Sequence, residues 1–97
     1  MKVYLSGPIS SYGDVETNKK YFHVAEAAMK LLGYEVVNPF TVCASMPNDT
    51  SWQDYMKADI HALLNCDAIY QLKHWTKSKG AQLEHKIAKA LGLKIIK

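Results

Sequence analysis

The sequence predicts a single α/β domain, residues 1–97, built on a four-stranded parallel sheet with helices on both faces. Three observations carry that expectation. Short apolar runs of strand length alternate with longer segments whose apolar residues recur at helical spacing. Gly7-Pro8, Gly33, Asn38-Pro39 and Gly92 punctuate the junctions. The 97 residues, 48% hydrophobic and 22% charged, suit one core and leave no room for a second.

The first strand is expected at 2–6, where Val3-Tyr4-Leu5 runs into the breaker Gly7-Pro8. A helix is expected over 14–32, with Asn18, Tyr21, Phe22, Ala25, Ala28, Met29 and Leu32 on one face. Gly33 stands where a left-handed helix stop belongs. A second short strand, 34–37, ends at Asn38-Pro39. Residues 40–50 read as loop, being rich in small and turn-forming residues such as Pro47, Asn48 and Asp49. Ser51 or Thr50 then caps a helix that runs to about Leu64. The third strand spans 67–71, with Ala68-Ile69-Tyr70 at its centre. A loop over 74–79, a helix over 80–91, its stop at Gly92 and a strand over 93–96 complete the chain. The order β-α-β-α-β-α-β with short links implies right-handed crossovers and a small Rossmann- or flavodoxin-like three-layer fold.

Composition excludes several classes of function. The net charge of +3 is mild and the lysines are scattered, so no basic run marks a nucleic-acid or anionic-membrane surface. No segment approaches the ~20 apolar residues of a membrane span, and Val3-Tyr4-Leu5 is too short for a signal-peptide core, so the expected compartment is the cytosol. Cys43 and Cys66 lack C-x-x-C spacing and suggest neither a disulfide framework nor a zinc site. His23, His61, His74 and His85 form no H-x-x-x-H or H-E-x-x-H pattern, and no metal or other cofactor is implied. His85 is expected to face solvent, while His74-Trp75 lies on a loop that could cover a bound base by stacking.

Two acids occupy positions where helical phase calls for apolar residues. Trp52, Tyr55, Met56, Ile60, Leu63 and Leu64 form one stripe, and Asp59 completes it. Gly80, Leu83, Ile87, Ala88 and Leu91 form another, with Glu84 in its middle. Glu84 lies about one turn into its helix, close to the N–H groups that favour anions at a helix N-terminus. Taken singly, Asp59 reads equally as a buried structural carboxylate, and Glu84 as a partner of Lys77 or Lys86. Together they have the equipment for glycosidic-bond chemistry, in which one carboxylate attacks the anomeric carbon and the other handles protons at the leaving group.

Ligands of parallel α/β sheets bind beyond the carboxyl ends of the strands. Those ends carry Ser6-Gly7-Pro8, Asn38-Pro39 and the loop leading to Ser78, so Ser6, Gly7, Pro8, Ile9, Asn38, Ser78 and Gly80 are the candidate ligand contacts. Gly7 permits close backbone approach and Ser6 offers a hydroxyl. The turn lacks the G-x-G-x-x-G spacing of a dinucleotide site.

Five stretches carry a family resemblance over nearly the whole chain. They are Val3-Tyr4-Leu5-Ser6-Gly7-Pro8-Ile9, Tyr34-Glu35-Val36-Val37-Asn38-Pro39, Trp52-Gln53-Asp54-Tyr55-Met56-Lys57-Ala58-Asp59-Ile60, Cys66-Asp67-Ala68-Ile69 and Ser78-Lys79-Gly80-Ala81-Gln82-Leu83-Glu84-His85. In this the chain resembles the nucleoside 2-deoxyribosyltransferase-like superfamily, and most of all its short DUF4406-type members. The resemblance implies a Glu84 nucleophile, an Asp59 that serves the base or leaving group, and a Tyr4 beside the sugar and the nucleophile. It also implies a ligand-facing or phosphate-binding loop at Ser78 and Gly80. Asp67 matches an aspartate common in the family, with a position that suggests structure as much as catalysis.

Two functional readings of the site stand at this point, beside a blander third in which the domain is degenerate and serves only protein assembly. One is an enzyme that hydrolyses nucleoside or nucleotide N-glycosidic bonds or transfers deoxyribose. The other is a non-catalytic binder that sequesters a nucleotide-derived ligand. Either way the partner is a nucleoside or nucleotide small molecule. A chain this short is expected to form a homodimer or higher homo-oligomer, with the aromatic helix Trp52–Leu64 as the first candidate contact.

Overall fold

The computed structural model describes residues 1–96. Four strands, β1 (Lys2–Ser6), β2 (Glu35–Val37), β3 (Ala68–Gln71) and β4 (Lys94–Ile96), form one all-parallel sheet in the order β2-β1-β3-β4. The helices are α1 (Val15–Leu31), α2 (Pro39–Val42), α3 (Trp52–Leu64) and α4 (Lys79–Ala90). The chain leaves β1 toward β2 on one side and returns toward β3 and β4 on the other. With right-handed crossovers this places α1 on one face and α3 and α4 on the opposite face. The order reverses at β1 and β3, whose carboxyl ends therefore flank the crevice of the fold.

Strand alternation divides the core in two. Tyr4 and Ile69 point to the α3–α4 face and pack with Leu63, Cys66 and Ala88. Leu5 points the other way and packs with Phe22, Met29 and Leu72 beneath α1. Local chemistry sets the helix ends. The carboxylate of Asp14 accepts the Thr17 N–H, the Ser51 hydroxyl accepts from Asp54, and the Ser78 hydroxyl accepts from Ala81. Gly33 and Gly92 follow α1 and α4 with φ of 89° and 74°, the left-handed stops expected of them.

The elements differ from expectation in several places, among them a 3-10 turn, Trp75–Lys77, within the segment expected as loop. The segment expected as loop from residue 40 opens with α2, because Pro39 sits at its first turn and the Asn38 side chain accepts the Phe40 N–H. Helix α4 begins at Lys79, one residue early, since Ser78 caps it. On α1 the buried residues are Asn18, Phe22 and Met29, whereas Tyr21, Ala28 and Leu32 turn outward. Similar narrowing affects the other stripes: Trp52, Leu64, Leu83 and Leu91 are exposed, and Ala81 takes an inward place on α4. No helix among the described residues is long and apolar enough to cross a membrane.

Candidate active site

The carboxyl end of β1 carries two hydroxyls on the face toward α4. Tyr4 and Ser6 are two residues apart on a strand, so their side chains share that face. On α4, helical phase turns Ala81, Glu84 and Ala88 toward the sheet. The two elements meet at Glu84. Tyr4 Oη donates to Glu84 Oε2 at 2.6 Å, and Ser6 Oγ donates to Glu84 Oε1 at 2.8 Å. Each carboxylate oxygen thus has its own neutral donor, and the side chain is held in one orientation. Glu84 is 5% exposed and faces a cavity of about 520 Å3, a size suited to a small-molecule ligand.

Asp59 reaches the same cavity from α3. It is 4% exposed, and its Oδ1 accepts the Cys43 thiol at 3.2 Å from the end of α2. Phe40, Trp52 and Tyr55 supply aromatic surface to the cavity, and Lys19 and Lys79 supply positive charge. The Lys79 ammonium lies 4.5 Å from the centre of the Trp52 ring, a cation–π contact beside the cap Ser78.

Burial dominates the electrostatics. It pushes Glu84 up to about 7, aided by the charge of Asp59 and opposed by the bonds from Tyr4 and Ser6. Asp59 is pushed up to about 6 by burial, against the lowering effect of the Cys43 thiol. Tyr4 is raised well above the ordinary phenol range by burial and by the Glu84 and Asp59 charges, so it remains a donor. The Cys43 thiol is pushed up to about 12 by burial and then by Asp59, which keeps it protonated and a poor nucleophile. The two acids therefore exchange protons near neutrality inside a shielded, aromatic-walled cavity, a setting for proton transfer next to a developing cation.

The sequence candidates separate in space. Glu84, Asp59, Gly7, Ile9, Ser78 and Gly80 line the cavity. Tyr4 and Ser6 are fully buried behind Glu84, so the Ser6 hydroxyl expected at a ligand is engaged with the carboxylate. Gly7 has no room for a side chain: a Cβ there would stand 2.8 Å from Leu72 Cβ. Pro8 lines a groove beside α1, away from the acids. Asn38 is 3% exposed and occupied, capping α2 and donating to Glu26 Oε1 at 3.0 Å. Asp67 accepts the Lys2 N–H at 2.8 Å, a structural tie between β1 and the start of β3.

His85 departs from its expected solvent position, lying 3.1 Å from Gln71 Oε1 and stacked on Trp75 at 4.5 Å. His74 packs on Tyr12 rather than over the cavity. Among the described residues no three His, Cys, Asp or Glu side chains gather as a metal site. Cys43 was beyond the reach of sequence reasoning, because its contact with Asp59 depends on how α2 packs against α3. Lys79 had a local signal, being adjacent to Ser78 in the stretch already singled out.

Solved structures share the fold. The 2-deoxyribosyltransferase of the psychrotolerant bacterium Bacillus psychrosaccharolyticus superposes with a TM-score of 0.76 at 19% identity, over 98% of this chain and 69% of that one. The CMP N-glycosidase BcmB of Clostridium botulinum gives 0.66 at 26% identity, over 98% and 68%. A conserved protein from Enterococcus faecalis V583 gives 0.68 at 22% identity, over 97% and 60%. These likenesses establish the α/β fold with its four parallel strands. No curated protein matches the sequence. Residues 1–97 match the family described as a domain of unknown function, DUF4406, from end to end, and the chain belongs to that family.

Proposed function

We propose that the protein cleaves or transfers the N-glycosidic bond of a nucleoside or nucleotide, with Glu84 as nucleophile and Asp59 as the proton-transfer partner. One observation carries the reading: a buried carboxylate faces a cavity, fixed by Tyr4 and Ser6, with a second acid on the same cavity. The nucleoside and nucleotide chemistry in the names of the deoxyribosyltransferase and the CMP N-glycosidase supports the substrate class.

In the first step an ionised Glu84 oxygen bonds to C1′ while the C1′–N electron pair leaves with the base, which takes a proton from Asp59. Tyr4 and Ser6 aim the carboxylate, and the positive charge growing at C1′ favours the ionised form of Glu84 over its neutral one. In the second step Asp59, now a carboxylate, takes a proton from water as that water attacks C1′. The electron pair of the new ester bond returns to Glu84. A second base in place of water makes the same sequence a transfer. The reaction needs one proton on the pair, held by Asp59 with Glu84 ionised. Burial leans the resting proton toward Glu84, pushed up to about 7 against about 6 for Asp59, so the proton passes to Asp59 before the attack.

The test is release of free base from deoxynucleosides and their 5′-monophosphates by the purified protein. Release is expected with the wild type and absent with Glu84→Gln. Equal release from both refutes the assignment of Glu84. Saturable thermal stabilisation with unchanged ligand and no release in either would replace catalysis by sequestration.

A further inference from the structure

The two acids are held unequally. Glu84 receives a hydroxyl on each oxygen, from Tyr4 at 2.6 Å and from Ser6 at 2.8 Å. Asp59 receives one side-chain donor among the described residues, the Cys43 thiol, 3.2 Å from Oδ1. Its other oxygen, Oδ2, has no protein partner. The one enclosed side-chain nitrogen or oxygen without a partner among the described residues is Gln71 Nε2. Oδ2 is therefore not sealed in, and it opens on the cavity that Asp59 lines.

The chemistry of the thiol fixes which oxygen carries the Asp59 proton. Cys43 ends α2, the short helix that Asn38 caps and that Glu26 ties to α1 through Asn38. Burial and then the Asp59 charge push the thiol up to about 12, so its proton stays on sulfur and is donated to Oδ1. A proton on Oδ1 would have to turn toward the sulfur, which is a weak acceptor, and would displace the S–H donor. On Oδ2 it meets no such competitor and points into the cavity.

Resting on the reading of Asp59 as the acid, we infer that Cys43 is a positioning residue for base departure. Its thiol, seated on Oδ1, confines the Asp59 proton to Oδ2, the oxygen open to the departing base. In that step the Oδ2–H bond breaks toward a base nitrogen as the C1′–N electron pair leaves with the base. The negative charge left on Asp59 is shared with Oδ1, where the S–H bond to it strengthens. The thiol thus aims the proton and steadies the carboxylate that remains. The other titratable groups near Asp59 are engaged elsewhere: Glu84 of α4 and Tyr4 of β1 bond each other, and Lys79 of α4 rests on Trp52. Glu16 and Lys19 of α1 complete the charges on the cavity, and neither bonds Asp59.

Infrared difference spectra and steady-state kinetics on the full chain test this. The S–H stretching band of Cys43, identified by its loss in Cys43→Ser, should move to lower frequency as Asp59 ionises. In Asp59→Asn it should stay in place over the same pH range. In Cys43→Ala the C=O band of protonated Asp59 should rise in frequency, having lost its donor on Oδ1. Release of free base from deoxynucleoside 5′-monophosphates should fall ~10-fold in kcat with Cys43→Ala, with KM within about twofold of the wild type. Cys43→Ser should recover most of that loss, because a hydroxyl keeps a donor at the same place. An S–H band indifferent to Asp59 overturns the inference whatever the activity. So does a folded Cys43→Ala with the wild-type kcat, or a loss that serine does not recover. A wild type that releases no base overturns the reading of Asp59 as the acid and the inference with it. A band that still follows Asp59 then distinguishes that failure from a missing contact.

Discussion

Replacing Glu84 with glutamine should stabilise the protein, and only above mildly acidic pH. Glutamine has the same shape, and its amide can accept from one of the Tyr4 and Ser6 hydroxyls while donating to the other. What it removes is the charge. Burial raises Glu84 from an ordinary 4.5 to about 7, so between those values the folded chain keeps a proton that the unfolded chain has released. Stability therefore falls as pH rises through this window and levels off above pH 7. The shift corresponds to about 3 kcal/mol of destabilisation at pH 8. For a domain of this size that is on the order of 10 °C or more in Tm. Urea titrations of wild type and Glu84→Gln at pH 4 and pH 8 read it directly. The two proteins should be nearly equal at pH 4, with the variant ahead by about 3 kcal/mol at pH 8. A constant difference across this range would refute the claim that the Glu84 charge is what the fold resists.

Other perturbations probe the same constellation. Tyr4→Phe removes one of the two donors, so Glu84 should titrate above about 7 and base release should fall ~10–100-fold, followed as kcat/KM against pH. Cys43→Ala removes the thiol bond that lowers Asp59, and the aspartate should titrate above about 6 in a carboxyl-resolved NMR titration, with no change expected at exposed carboxylates. Gly7→Ala should cost about 1–3 kcal/mol in denaturant melts, because its Cβ meets the Leu72 Cβ at 2.8 Å. Gly80→Ala should cost less, since its Cβ meets the flexible Met56 Sδ at 3.0 Å and that side chain can turn aside. Equal losses at the two glycines would count against this reading of the packing.

Strand and helix order was legible from the chain because alternation, periodicity and punctuation are local properties. Val3-Tyr4-Leu5 before Gly7-Pro8, and a phased helix before Gly33, need no distant partner to be read. The same phase singled out Asp59 and Glu84, since an acid in an apolar stripe is visible without coordinates. Helical phase alone was too coarse to fix the edges of each stripe. It placed Tyr21 and Ala28 inward, whereas the single helix on that face leaves them open. Nor could it tell that Asn38 and Ser6 spend their polar groups on other protein atoms, because hydrogen-bond partners are chosen by packing.

Thus the sequence by itself determined that two carboxylates would face the interior, on helices either side of the third strand. Only the tertiary structure decided what they meet there. Tyr4 and Glu84 are 80 residues apart, and Cys43 and Asp59 are 16 apart. Their contacts exist because β1 lies against β3 and because α2 turns back on α3. The depth of burial, which moves both acids toward neutrality, belongs to that three-dimensional arrangement and to no local stretch of chain.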